Sequence, residues 1–374
     1  MLRSHRLSDE RKESMETVNI GVVGSGEMSR LYVESILKYN EGVRLVGITN
    51  GTRAAKLASD REVEHVSDLD TMLNRADIDA LIMATPHQVH AEQVIAAAEH
   101  GKHVLLEKPM ATNVPDCDAM IEACNRAGVA LAIIKTLRYS GVFSRAKKLI
   151  DDGRIGEVRM IQETSLFPAG HSAKTWATEP ESGGVLLDRG CHIFDGLRWL
   201  IGDEAVRLFA RVTTYKTIGY ENLNAMIQVE FSRGALAQVW MGHEVPEPIF
   251  PGSGYLWRIW GEQGLIEANN HGKLMLSADG KWEEIWEMPQ SGGAEFEPGP
   301  LMERHYRQTQ EFVDAVRFGR PPTVSGEDGR AAVEMVQAAH LSSMSGSAVN
   351  LPLPRTKGGL QFDGATVPRE KIPG

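Results

Sequence analysis

Cysteine is scarce in this 374-residue chain: Cys117, Cys124 and Cys191 are an odd number and form no C-x-x-C pair. That excludes a disulfide framework and a thiolate zinc site, and makes a reducing cytoplasm the simplest home. Long apolar runs are lacking too. The stretch 129–134 is far short of the roughly 18 residues that span a bilayer, so no membrane crossing is expected. Residues 1–15 have no apolar signal-peptide core. They mix Arg3, Arg6 and Arg11 with Asp9, Glu10 and Glu13 and read as a disordered extension, with Met15 a candidate start. Positive charge is in deficit: 40 Lys and Arg against 50 Asp and Glu leave −10, which repels phosphate backbones and anionic membranes and disfavours nucleic acid as a partner.

What is present suits a large folded protein. At about 150 residues per domain the length allows two or three domains, and 42% apolar residues can fill their cores. From residue 18 onward, short apolar runs alternate with longer periodic segments, the pattern of βαβ units in a parallel sheet. Strands are expected at 18–23, 44–49, 80–84, 103–106 and 129–134, with a weaker one at 63–66, making six in a doubly wound α/β domain over 16–137. In the first helix Met28, Leu31, Tyr32, Ile36 and Tyr39 form one apolar stripe. Beyond Leu137 strand-like segments at 157–163, 207–213, 225–231 and 235–241 follow one another, the texture of a mostly antiparallel sheet in an α+β domain over 138–353. A helix at 303–318 and another after Ser325, where Ser325 and Asp328 suit a capping box, are expected to close that domain. Residues 354–374 read as an irregular tail.

Chemistry gathers at a few places. Gly24, Ser25, Gly26, Glu27, Met28 and Ser29 form a G-x-G-x-x-S run between the first strand and the first helix, where glycines let a pyrophosphate approach backbone N–H groups. The string alone also fits a plain strand-to-helix turn. Where an acid would receive ribose hydroxyls stands Asn50, followed by Gly51, Thr52 and Arg53. Asn50 can hydrogen-bond a ribose and Arg53 can partner a 2′-phosphate, so NAD and NADP both stay open; a solvated position suits Arg53 equally. Thr85, Pro86, His87 and His90 follow the strand at 80–84; loop contacts to a nicotinamide ribose or plain helix-start polar groups suit the pair better than metal ligation.

Glu107, Lys108 and Pro109 follow the strand at 103–106, at the sheet edge where ligands bind in open α/β folds. An ammonium about 4 Å from a developing alkoxide, at an effective dielectric near 20, stabilises it by roughly 4 kcal/mol. A surface lysine is the bland alternative. The run GGVLLDRGCHIFDGLRWL (183–200) puts Asp188, His192 and Asp195 on one helical face, where a carboxylate can orient an imidazole that moves a proton near neutral pH. A solvated polar face reads the same way. No further ligand cluster stands out, so no metal is expected.

Taken together the motifs resemble the Gfo/Idh/MocA family of nicotinamide-dependent dehydrogenases, the group of glucose-fructose oxidoreductase and inositol dehydrogenase. They are VGSGEMS, ATPHQVHAEQVIAAAEHGKHVLLEKPMA, RYSGVFSRAKKLIDDGRIGEV, SGGVLLDRGCHIFDGLRWLIG and FVDAVRFGRPPTVSGEDGRAAVEMVQAAHLS, in family order and over nearly the whole chain. By that resemblance Lys108 is similar to the lysine of the family's EKP motif, and Asp188 and His192 to the catalytic pair of its D-x-x-x-H segment. The resemblance implies a Rossmann domain, a second domain with an open sheet used for homodimer or homotetramer contacts, and a sugar, cyclitol or glycoside as substrate. Lys135, Arg138, Tyr139, His171, Trp176, His192 and Asp195 are the candidates for binding its hydroxyls. Two other outcomes belong to the same resemblance: redox-neutral glycoside cleavage or epimerisation through a transient keto-sugar, and a nucleotide-binding regulator without turnover. Asn50 departs from the family's usual acid, and Lys135 with the loop 246–251 marks a subfamily with its own substrate.

Overall fold

A computed structural model of the chain describes residues 16–168, 183–215, 223–269, 272–288 and 299–354. By contacts the chain divides into two units, the first from Met1–Ala111, Pro115–Tyr139 and Phe296–Arg330, the second from Thr112–Val114, Ser140–Glu295 and Ala331–Gly374.

The first unit is built on five parallel strands, β1 (Val18–Val23), β2 (Val43–Thr49), β3 (Ala80–Met83), β4 (His103–Leu106) and β5 (Leu131–Ile133), in the order β2-β1-β3-β4-β5. Helices α1 (Glu27–Lys38), α2 (Ala54–Asp60), α3 (Leu69–Leu73), α4 (His90–Glu99) and α5 (Val114–Ala127) occupy the connections. All six residues of β1 but Asn19 are buried, as expected of a strand covered on both faces. The order reverses between β1 and β3, which opens a crevice at their carboxyl ends. The sixth strand expected at 63–66 reduces to an isolated bridge between His65 and Ile48. Asp68 accepts the Thr71 N–H at 2.7 Å and starts α3 at once, so the segment has no length in which to extend a ladder.

The second unit contains α6 (Gly141–Asp151), β6 (Val158–Pro168), α7 (Gly184–Ile201), β7 (Ala205–Thr213), β8 (Asn224–Phe231), β9 (Leu236–Val245), β10 (Leu256–Gly261), β11 (Leu265–Asn269), β12 (Lys273–Ala278) and β13 (Lys281–Glu287). After them in the chain come α8 (Pro300–Arg317), which belongs to the first unit, then α9 (Gly326–Ser345) and β14 (Val349–Asn350). The nine strands run β13-β12-β11-β10-β6-β9-β8-β7-β14, antiparallel throughout except for β6 beside β9. One face packs under α6 and α7. The other leaves Met226, Trp240, Trp260 and Trp282 exposed.

Two features differ from the reading of the sequence. Strands β10 to β13 were not anticipated, although the alternation of buried and exposed residues in Leu256–Gly261 is a period-2 signal. Helix α8, expected in the second domain, packs in the first unit: Phe312, Val313 and Val316 join the core of Val22, Tyr32 and Ile36. Gln308 fastens it to the end of β5, donating to Ile133 O (2.8 Å) and accepting the Lys135 N–H (2.9 Å). Chain order alone cannot show such a return. The capping box at α9 is formed as read, with Ser325 N–H to Asp328 Oδ2 at 3.1 Å and Asp328 N–H to Ser325 Oγ at 3.3 Å.

Candidate functional site

In the first unit the loops after β1, β2 and β3 are bound to one another at the crevice. Gly24 has φ +119°, and a Cβ there would lie 2.4 Å from Ala84 O, so only glycine allows the two loops to close. Gly24 N–H donates to Thr49 O (2.8 Å), and Arg53 N–H to Ser25 Oγ (3.3 Å). Asn50 takes the left-handed conformation at φ 63°, and a Cβ on Gly51 would meet Ser25 Oγ at 2.3 Å. At Gly26 a Cβ would meet nothing within 4 Å, and no side chain caps α1 there. The first-turn N–H groups of α1 therefore face open space, a cradle that fits the pyrophosphate of a dinucleotide. Glu27 and Arg53 are exposed at its rim, and Met28 is half-buried.

Thr85 and Pro86 lie at the same edge, where Thr85 Oγ1 donates to Gln93 (2.6 Å). His87 and His90 are instead buried. His90 Nε2 lies 3.0 Å from Thr85 O, and Nδ1 lies 3.2 Å from both Pro109 O and Met110 O. Burial holds its pKa down to about 4 against the pull of these carbonyls. His90 thus ties the loop after β3 to the loop after β4 and does not reach outward as a cofactor contact would.

Lys108 follows β4, half-buried at the crevice edge, in a turn held by the residue before it. Glu107 N–H continues the ladder to Met83 O (2.9 Å), its Oε2 accepts the Lys108 N–H (2.9 Å), and its Oε1 accepts a hydrogen bond from the Tyr32 hydroxyl of α1. Lys135 is buried at the end of β5. Arg138 pairs with Asp328 at 3.1 Å with its side chain 8% exposed, so its guanidinium fastens a helical turn (Thr136–Tyr139) within the unit. Tyr139 is half-buried beside it.

In the second unit Gly183 (φ 76°) and Gly184 (φ 74°) turn the chain into α7, and Gly202 (φ 69°) ends it. Leu186, Ile193, Leu197 and Leu200 are buried. Asp188 and His192, one turn apart, are half-buried; Asp195, a further turn on, is fully buried. Arg189 is a neighbour that the spacing argument passed over. Its guanidinium stacks over Phe167 (5.7 Å), donates to the Tyr255 hydroxyl (2.6 Å) and lies 3.4 Å from Asp188, a distance of charge attraction but not of an aligned hydrogen bond. Burial opposes its charge, yet Tyr255 and Asp188 hold its pKa above the ordinary arginine value. Tyr255 stands at φ 60°, a strained backbone for an aromatic residue. The signal available was a charged residue inside the D-x-x-x-H motif itself. His171 and Trp176 lie outside the described residues. Among the described residues no group of three or more His, Cys, Asp or Glu is placed to hold a metal, and no helix is long and apolar enough to cross a membrane.

The chain matches two family models in succession. Residues 18–134 match the family model for an oxidoreductase family's NAD-binding Rossmann fold, and residues 147–351 that for its C-terminal alpha/beta domain. The myo-inositol 2-dehydrogenase of Thermotoga maritima is 28% identical over 344 residues, 89% of this chain and 98% of its own. A 2,7-anhydro-N-acetylneuraminate hydratase of Mediterraneibacter gnavus is 34% identical over 193 residues, 50% of each chain. Of solved structures, aldose-aldose oxidoreductase from Caulobacter crescentus complexed with glycerol aligns with TM-score 0.76 at 25% identity, covering 90% of this chain and 100% of that one.

Proposed function

Since the chain belongs to the Gfo/Idh/MocA family of oxidoreductases, we propose that it transfers hydride between a nicotinamide dinucleotide and a secondary alcohol of a sugar, cyclitol or glycoside. The observation that carries this reading is the shared carboxyl edge of the first sheet: the glycine cradle after β1 and Lys108 after β4 open on one crevice. Gly24, Ser25, Gly26 and the first turn of α1 would hold the pyrophosphate, and Asn50 and Gly51 the adenosine ribose. Bound there, the dinucleotide supplies the hydride acceptor, nicotinamide C4.

The protein's own groups manage the proton and the charge. In the oxidative direction His192 accepts the hydroxyl proton, Asp188 orients and supports the imidazolium, and the Lys108 ammonium stabilises the alkoxide that develops. Reduction runs the same roles backwards. Tyr139 serves to bind substrate hydroxyls. With Asn50 in place of a carboxylate, the ribose position itself carries no charge to repel a 2′-phosphate, and the choice between NAD and NADP stays open. Retention of Lys108, Asp188 and His192 speaks against a regulator, which needs only the nucleotide site. The hydratase relative favours a second reading, a redox-neutral reaction through a transient ketone, which uses the same three residues.

Nicotinamide absorbance during turnover, with NAD and with NADP against sugars, cyclitols and anhydro-sugars, separates the two. Net reduced nicotinamide in step with ketone product is the expected result. Turnover of an anhydro-sugar with no net change in absorbance would replace it with the redox-neutral reading.

The open face of the nine-stranded sheet is proposed as the surface for a second copy of the chain. It carries a groove of about 840 Å³ lined by Met160, Phe209, Leu236, Trp260, Leu265 and Trp282, all of them exposed apolar side chains.

A further inference from the structure

Tyr32 occupies the second turn of α1, on the stripe that the sequence assigns to the core, and its ring is fully buried. A buried tyrosine still carries a hydroxyl that needs a partner. Its partner is Glu107 Oε1, 75 residues away in sequence, and the other oxygen of that carboxylate accepts the backbone N–H of Lys108 at 2.9 Å. Glu107 is 6% exposed, so these bonds are made out of water, where an unsatisfied carboxylate oxygen is costly and a satisfied one is rigid. On the far side the ring of Tyr32 meets His305 edge-on at 5.6 Å, which fixes its direction.

We propose that Tyr32 is a positioning residue for Lys108, acting through Glu107: helix α1, whose first turn opens on the dinucleotide cradle, also sets the backbone from which the Lys108 ammonium projects. This inference rests on the reading of Lys108 as the group that stabilises the alkoxide. The two oxygens of one carboxylate do different jobs. Oε1 is held by the helix and Oε2 holds the turn, so the carboxylate cannot rotate without losing both bonds. Burial, and then the Glu107 charge, push the Tyr32 hydroxyl pKa well above its ordinary value, so it stays a donor across the working pH range. A hydroxyl that only filled the core would need no charged acceptor adjoining the reactive lysine.

Tyr32→Phe keeps the ring and removes only Oη. The expected result is a fall in kcat of about ten- to a hundredfold, a dissociation constant for NAD within about threefold of wild type, and an increased deuterium isotope effect on kcat as hydride transfer becomes rate-limiting. Glu107→Gln should show the same split. The double variant should be little worse than either single one, since both break one chain of contacts. If Tyr32→Phe fails to fold, Glu107→Gln with the same kcat and NAD measurements carries the test. Unchanged kcat in the folded variant with only a lower melting temperature, or strictly additive losses in the double variant, overturns the proposal. Lys108→Ala run alongside keeps the two claims apart: full activity there sinks the reading of Lys108, whereas its loss together with a fully active Tyr32→Phe sinks the inference alone.

Discussion

Glu163 is a carboxyl group held where charge is rejected. It is fully buried on β6, directly across from Trp257 of β10, whose ring meets Phe143 edge-on at 5.3 Å. Ser165 donates to Oε1, and Oε2 has no hydrogen-bond partner among the described residues. Burial raises its pKa from 4.5 to about 8, so the folded protein keeps a proton that the unfolded chain releases at lower pH. The resulting stability is complete below the unfolded pKa of 4.5 and is lost as pH rises through about 8. His90 and His340, both held down from 6.5 to about 4 by burial, act in the opposite sense and lose their contribution as pH falls below 6.5 through about 4. Melting temperature measured between about pH 6.5 and 8, above the histidine window, should decline for the wild type and stay nearly flat for Glu163→Gln, whose amide never ionises. Equal slopes would mean that Glu163 is already charged in the fold.

At the scale of elements, what could be read from sequence was what local physics decides. The Ser325 and Asp328 capping box and the one-turn spacing of Asp188 and His192 on α7 follow from helical periodicity and end chemistry and are present, while of the α1 stripe Tyr32 and Ile36 are buried and Met28, Leu31 and Tyr39 half-buried. What escaped depends on contacts between distant segments. The hydroxyl of Tyr32 was hidden inside an apolar stripe, because periodicity assigns a face and not a partner. His90 and Arg138 have the residue types of a binding site, yet one is turned inward onto backbone carbonyls and the other is bound to Asp328. The return of α8 to β5 through Gln308 is a tertiary fact with no local signature. Strand β10 shows the reverse case: buried Trp257 and Ile259 flank exposed Arg258, an alternation that directly follows the Pro- and Gly-rich stretch 246–254.

For the whole molecule, the charge of −10 disfavours phosphate polymers but not a single dinucleotide, because the glycine cradle offers local N–H groups that net charge does not report. The open sheet face is where a second copy should dock. Trp260, 55% exposed in the groove, is the residue to change: Trp260→Glu should shift light-scattering mass from an oligomer to a monomer without altering the fold, and an unchanged mass would direct the search to another surface. The central claim is that Lys108 and His192 handle the charge and proton of an alcohol undergoing hydride transfer. The most direct measurement is nicotinamide reduction by the wild type, Lys108→Ala and His192→Ala, with NAD affinity determined for each. The account predicts a fall in turnover of about a hundredfold or more in both variants at nearly unchanged NAD affinity. Full turnover in either variant would contradict it.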